Sequence, residues 1–346
     1  MERFAEHHDA APTAGRLREV LGFGPNPGAL RMLSYAPPDL RPDAPLVVVL
    51  HGCGQSAEAF AVGAGWTELA DRGGFALLCP EQASANNRGL CFNWFRPADI
   101  RPRTGEAASI RQMIEHVLSP AGPDHRPVFV VGFSAGGSMA LAMLATAPEV
   151  FAAGAVIAGV AYGAAANLGE ALLAMSLAPP RSPDSLGDAV RRAARGGGPW
   201  PRLSVWQGLA DRTVTPASAD RIVTQWLNLH DLPAEPSRIE ILPGQTVSHW
   251  DTAADQAVLE LHRLDGLGHG APLAVGGAEG VGQAGPFLLD AGVSSTLEIA
   301  RFWGLPGLAR PAAAVEAEVT GETPAARGWR AIGRRLHAIA RRVLGR

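Results

Sequence analysis

The sequence predicts an α/β domain built on a mostly parallel, twisted sheet with helices on both faces. Short apolar runs (Pro45–Leu50, Phe75–Cys79, Val128–Val131, Ala153–Ile157, Leu203–Gln207) recur along the chain. Runs of this length suit strands buried on both faces. Helix-forming stretches separate them, and that alternation implies crossover connections in a parallel sheet. A hydrophobic content of 47% and a charged content of 18% over 346 residues fit a globular enzyme of one large domain or two small ones.

In chain order, residues 1–29 read as a peripheral arm with a short helical piece around Leu17–Leu21. Leu30–Tyr35 reads as a first strand, and proline-rich turns lead to the buried run Pro45–Leu50. A helix is expected over Ala57–Arg72 and a buried strand over Phe75–Cys79. A long loop, Pro80–Asp99, carries Phe92, Trp94 and Phe95. The amphipathic stretch Gly105–Leu118 precedes the strand Val128–Val131, and a helix follows over Ser138–Thr146. After the strand Ala153–Ile157, residues 159–201 interrupt the alternation with two helical patches, Leu168–Leu177 and Ser185–Ala194. This is the expected place of a small cap insertion. The sheet resumes at Leu203–Gln207, followed by a helix over Thr215–Leu229 with Pro216 suited to its first turn. Strands at Arg238–Leu242, Val247–Trp250 and Val258–Leu264 and a helix at Ser294–Trp303 complete the expected domain, residues 30–307.

Residues 308–326, rich in Ala, Pro, Glu and Thr, read as a linker. In residues 327–346, Ile332, Leu336, Ile339 and Val343 mark one face of a basic amphipathic helix. Its seven arginines, removed from the net −3, leave −10 on the rest of the chain. Such a helix could contact an anionic membrane or a lipid-coated granule, or dock on the acidic body of its own chain. The overall balance gives no support to a nucleic-acid partner. All thirty basic residues are arginine, which excludes lysine Schiff-base and P-loop chemistry. Three cysteines are too few for a disulfide scaffold. No signal peptide is recognised at the start and no apolar run reaches the roughly 18 residues of a membrane span. The expected location is cytoplasmic, with secretion the alternative if the start is misassigned.

The chemistry centres on Gly132-Phe133-Ser134-Ala135-Gly136, between the strand Val128–Val131 and a helix. Strand, Gly-x-Ser-x-Gly and helix in that order form the nucleophile elbow of α/β-hydrolases. The serine sits in a strained turn, so its neighbours two places away must lack Cβ for the backbones to pass. A plain glycine-rich turn whose serine caps the helix is the blander possibility. A serine hydroxyl needs a base within hydrogen-bond reach, and the base needs an orienting acid. In this fold the acid and then the histidine follow the serine in sequence. Asp211 follows the strand Leu203–Gln207 and is the expected acid; Asp265, on the histidine loop, is its rival. His269, between glycines past the last long strand, is the expected base. His262 lies in a strand and reads as structural, and His249, before Trp250 on another strand, is a weaker candidate, while His51 opens the loop after Leu50 and usually braces it. The oxyanion needs two backbone N–H donors. Ala135 supplies one, and the loop after Leu50 the other, assigned to Cys53 with Gly52 and Gly54 as neighbouring alternatives.

Several segments resemble the esterase/PHB depolymerase family of α/β-hydrolases, which includes feruloyl and acetylxylan esterases. They are Leu50-His-Gly-Cys-Gly-Gln-Ser56, Pro80-Glu-Gln82, Cys91-Phe-Asn-Trp94, Gly132-Phe-Ser-Ala-Gly-Gly137, Gly208-Leu-Ala-Asp-Arg-Thr-Val214, Gly266-Leu-Gly-His269 and Ser294–Trp303. The resemblance implies a serine esterase acting on hydroxyalkanoate polymers or oligomers, with feruloyl or acetylxylan esters as the alternative. It implies Ser134, Asp211 and His269 as the triad and a disulfide between Cys53 and Cys91, a bond that suits an oxidising compartment. The partner it implies is an ester substrate, and no metal or organic cofactor is required. Asn93, Trp94 and Trp250 are expected to hold the substrate, with core packing as the other account of the two tryptophans.

Overall fold

A computed structural model describes residues 16–118, 126–195, 197–252, 257–277 and 279–309. The basic helix expected over 327–346, most of the linker 308–326 and the first half of the arm 1–29 lie outside the described residues. The chain divides into the units Met1–Gly307 and Leu308–Arg346, and every strand and helix among the described residues belongs to the first.

The elements run β1 (Arg18–Val20), β2 (Arg31–Tyr35), β3 (Leu46–Leu50), α1 (Ala57–Gly63), α2 (Trp66–Gly73), β4 (Ala76–Glu81) and α3 (Gly105–Leu118). Then come β5 (Val128–Phe133), α4 (Ala135–Thr146), β6 (Ala153–Ile157), α5 (Leu168–Leu177), α6 (Pro183–Ala194), β7 (Arg202–Gly208) and α7 (Ala217–His230). The last are β8 (Arg238–Leu242), β9 (Gln245–Asp251), β10 (Ala257–Leu264), β11 (Ala271–Leu273), β12 (Leu288–Asp290) and α8 (Ser295–Trp303). Ten strands form one sheet in the order β1-β2-β4-β3-β5-β6-β7-β10-β9-β8. The run from β4 to β10 is parallel, and antiparallel strands finish both edges. This is the α/β-hydrolase arrangement expected from the sequence.

Strand alternation divides the core between two faces. Val128 and Val130 of β5 join the large cluster that holds Met113 of α3, Met139 of α4, Val190 of α6 and Trp226 of α7. Phe129 and Phe133 point the other way: Phe129 stacks on Trp303 of α8, which stacks on Trp66 of α2, while Phe133 stacks on Phe60 of α1. β3 and β5 are buried along their whole lengths. That explains their unbroken apolar sequences.

Four expectations need correction. Leu17–Leu21 is not helical: Arg18–Val20 adds an antiparallel edge strand to β2, fixed by Arg31 on Glu19. Pairing across strands outweighs so short a helical preference. The helix expected over Ala57–Arg72 breaks at Gly65, whose φ is +84°. A Cβ there would press on Val281 and Gly282, so the break admits the late loop, held by Gln283 N–H on the Gly63 carbonyl and Thr296 on the Ala64 carbonyl. β11 and β12, too short for a periodicity to show, pair in parallel with each other after the main sheet ends. Finally, the insertion 159–201 is not a cap as a whole. α6 buries Leu186 and Val190 and belongs to the helical layer beside α4 and α7, while α5, with Val160 and Ala165 before it, stands beside the candidate site.

Trp303 joins two aromatic stacks beneath the sheet. Trp303→Ala should lower unfolding free energy by about 3–5 kcal/mol, as large aromatic truncations in close-packed cores do. Urea titration followed by circular dichroism measures this, and a loss under about 1 kcal/mol would contradict the packing described.

Candidate active site

The parallel strands β3, β5, β7 and β10 all end at one edge of the sheet, and each is followed by a segment bearing a candidate group. Cys53 follows β3, Ser134 follows β5, Asp211 follows β7 and His269 follows β10. Segments 135 residues apart in sequence therefore meet.

Ser134 has φ +55° and ψ −116°, a conformation that costs a residue with a Cβ about 1–3 kcal/mol. The crossing of backbones around it enforces the conformation. A Cβ on Gly132 would collide with the Gly136 carbonyl, and one on Gly136 would collide with the Leu50 carbonyl. Ser134 N–H donates to the Ile157 carbonyl at 2.8 Å, which ties the turn to β6. Its hydroxyl is directed at His269, Oγ lying 3.0 Å from Nε2. On the other side of the ring, Nδ1–H donates to Asp211 Oδ2 at 2.7 Å.

Asp211 is buried, and its remaining acceptor capacity is filled. Oδ1 accepts the N–H groups of Thr213 at 2.8 Å and Val214 at 2.9 Å, and Oδ2 also accepts Gln207 Nε2 at 3.3 Å. Burial works to raise the carboxyl, but the hydrogen bond from His269 and those from Val214 and Thr213 outweigh it. The group is held below its ordinary value, so the acid stays ionised and the imidazole keeps Nδ1 protonated and Nε2 free to accept. A serine, a base and an oriented acid in this geometry can perform acyl transfer. The imidazole is also wedged between Phe133, 4.9 Å away, and Phe287, 6.1 Å away. Phe287 is 44% exposed, and its isolated position gave no sequence signal.

The loops bearing Cys53 and Ala135 lie side by side, since β3 and β5 pair from Leu46↔Val128 to Leu50↔Gly132. Among the described residues neither N–H finds an acceptor, as groups reserved for an oxyanion should. His51 braces this loop: Nδ1–H donates to the Gly52 carbonyl at 2.8 Å while Nε2 accepts Gln82 N–H at 3.1 Å. Burial pushes His51 below its ordinary value, so it is neutral at pH 7 and keeps this tautomer. Cys53 and Cys91 are joined in a disulfide that ties the loop after β3 to the site wall, and Cys79 is a buried free thiol.

The three residues expected to hold substrate have different fates. Trp94 packs with Ala135, Val160, Ala174 and Val214 in a small cluster next to Ser134 and forms the wall of the candidate site. Asn93 is fully buried behind that wall. Its amide donates to Glu106 at 2.6 Å and accepts from Asn87 at 2.9 Å, which leaves it no free polar atom for a ligand. Trp250 pairs with Leu259, near the start of β10, because β9 runs antiparallel to β10. That places it at the opposite edge of the sheet from His269, with its indole N–H on the Ala234 carbonyl. The rival groups are also accounted for. His262 stacks on Trp206 at 3.7 Å and faces Glu260, His249 faces Glu240, and Asp265 is exposed.

If the Cys53–Cys91 bond forms, denatured but unreduced protein should present one titratable thiol, Cys79, and reduction should raise the number to three. Three thiols before reduction would remove the staple from this description.

Comparison with known proteins identifies relatives of this chain. The family described as esterase PHB depolymerase matches residues 31–236. The chain is 39% identical over 293 residues to poly(3-hydroxyalkanoate) depolymerase C of Paucimonas lemoignei, covering 84% of this chain and 70% of that one. It is 31% identical over 279 residues to feruloyl esterase B of Thermothelomyces thermophilus, covering 71% and 92%. Among solved structures, the acetyl xylan esterase from Aspergillus awamori superposes with a TM-score of 0.66 at 25% identity, covering 74% of this chain and 94% of that one.

Proposed function

Since the chain belongs to the esterase/PHB depolymerase family of carboxylic ester hydrolases, we propose that it cleaves hydroxyalkanoate esters, in polymers or oligomers, through a Ser134–His269–Asp211 triad. The observation that carries the catalytic part is the unbroken relay from hydroxyl to imidazole to carboxylate. Ser134 Oγ attacks the ester carbonyl while His269 Nε2 takes its proton. Asp211 holds the ring and stabilises the imidazolium. The carbonyl oxygen, now negative, is received by the N–H groups of Cys53 and Ala135, each such donor being worth roughly two to three orders of magnitude in rate. His269 returns the proton to the leaving alcohol. A water then attacks the acyl-serine with His269 as base, releasing the acid and restoring Ser134.

The hydroxyalkanoate substrate is supported by the 39% identity, over most of this chain, with a protein named as a poly(3-hydroxyalkanoate) depolymerase. A second reading, esters of plant polysaccharides, is supported by the likeness to feruloyl and acetylxylan esterases. The Cys53–Cys91 bond favours an oxidising compartment over the cytoplasmic location expected from the sequence.

Ser134→Ala should lower kcat on p-nitrophenyl butyrate by about a millionfold, as loss of a triad nucleophile does. Wild-type turnover would exclude the mechanism. Asp211→Asn should lower kcat about ten-thousandfold with KM little changed, because it leaves the ring with the wrong tautomer. Hydroxybutyrate oligomers and feruloylated or acetylated sugars, compared by kcat/KM, decide between the substrate readings. The hydroxyalkanoate reading requires the oligomers to be preferred.

A further inference from the structure

Glu106 is a fully buried carboxylate that the proposed reaction does not use. It opens α3, where an acid is ordinarily a solvated group complementing the helix dipole. Here it is enclosed. Oε1 accepts the side-chain amides of Gln82 at 2.6 Å, Asn93 at 2.6 Å and Asn86 at 3.1 Å. Oε2 accepts Asn93 N–H at 2.7 Å. The backbone on its other side is equally close, for a Cβ on Gly28 would press on the Glu106 N and Cα.

Two chains of hydrogen bonds lead from this carboxylate to the oxyanion loop. Gln82, held by Glu106, donates its own N–H to His51, whose other ring nitrogen donates to the Gly52 carbonyl. Asn93, held by Glu106, accepts from Asn87. Asn87 Oδ1 accepts Gly89 N–H at 2.9 Å, and the Gly89 carbonyl accepts Gly54 N–H at 2.9 Å. The two routes reach the residues on either side of Cys53, and the disulfide from Cys91 reaches Cys53 itself. Gln82 also donates to the Cys91 carbonyl at 2.8 Å.

We propose that Glu106 is a positioning residue for the ester hydrolysis, its carboxylate anchoring the loop that aims the Cys53 N–H at the oxyanion. The proposal rests on the reading of Ser134 as nucleophile and Cys53 as oxyanion donor. The partners that enclose Glu106 all present N–H groups, so the ionised carboxylate can accept from every one of them. A protonated carboxyl must turn one hydrogen toward a donor and lose that bond. Burial pushes Glu106 up to about 7, opposed by the hydrogen bonds from Gln82 and Asn93 and assisted by the Asp99 carboxylate before α3. The groups facing it from the loops after β4 and before α3 are otherwise the neutral amides of Gln82, Asn86 and Asn93. The anchor is therefore half formed near pH 7, gains as the pH rises above it and weakens below it.

Glu106→Gln is nearly isosteric and stands in for the protonated acid. The test compares kcat on p-nitrophenyl butyrate for wild type and E106Q at each pH, as a ratio from which effects common to both proteins cancel. At pH 8.5 the ratio should be about tenfold or more with KM within about threefold, since oxyanion donors act in the transition state. By pH 5.5 it should fall below about twofold. A ratio near one at every pH overturns the proposal. So does a constant loss at every pH that follows a lowered melting temperature, the mark of a structural role. If E106Q does not fold, Gln82→Met breaks the route to His51 while leaving Glu106 in place. Lowered kcat at unchanged KM then supports the proposal, and wild-type kcat overturns it. Ser134→Ala serves as control. If it is active, the triad reading and this proposal fall together; if it is inactive while E106Q matches wild type, only the role of Glu106 falls.

Discussion

The crossing of three backbone segments at the end of β5 is the constraint on which the site depends. Gly132, Gly136 and the Leu50 carbonyl approach so closely that no Cβ fits at either glycine. Ser134 is left in a conformation that residues with a Cβ rarely adopt. A local cost of about 1–3 kcal/mol is small against the packing of fully buried β3 and β5 and of α4, every residue of which is buried. The same contact puts the loop after β3 against the first turn of α4. The segments that carry the two expected oxyanion donors, Cys53 and Ala135, are thereby set side by side by the fold.

Around that fixed point the remaining groups are held by hydrogen bonds of differing stringency. Asp211 is fastened to its own loop by the N–H groups of Thr213 and Val214, so the acid is placed before it meets the histidine. Among the described residues, the His269 ring has no such backbone anchor. Its ring is oriented by Asp211, Ser134 and the aromatic contacts of Phe133 and Phe287. The loop after β3 has the heaviest support, combining a disulfide, a neutral buried histidine and amide chains that lead back to Glu106. On the proposed mechanism that distribution follows need: a donor must be aimed at an atom that becomes charged only in the transition state, where small misplacements are felt most.

The wall of the site combines an aromatic surface with a polar interior. Trp94 and α5 present apolar groups beside the nucleophile, while the adjacent Asn93 turns inward to the carboxylate that holds the loop. The sequence places these neighbours side by side, yet their environments are opposite. Leu168, Leu172, Leu173 and Leu177 leave one side of α5 exposed, whereas Ala171 and Ala174 pack toward the site. Small residues on the inner side let this helix come close to Trp94 and Ala135 without filling the cleft.

Local sequence determined the alternation of strands and helices, the elbow and the order of the three triad candidates, because each rests on periodicity or on a steric demand met within a few residues. Glycine at 132 and 136 announces a crowded turn wherever the rest of the chain lies. Tertiary structure alone decided that Leu17–Leu21 pairs as a strand, that the helix beginning at Ala57 breaks at Gly65, and that α6 joins the body while α5 borders the site. It also decided the fates of Asn93 and Trp250. Strand direction, which residue-by-residue patterns do not carry, sent Trp250 to the far edge of the sheet. Burial, which depends on distant segments closing over a residue, made Glu106, an acid in the first turn of a helix, the enclosed centre of a hydrogen-bond network.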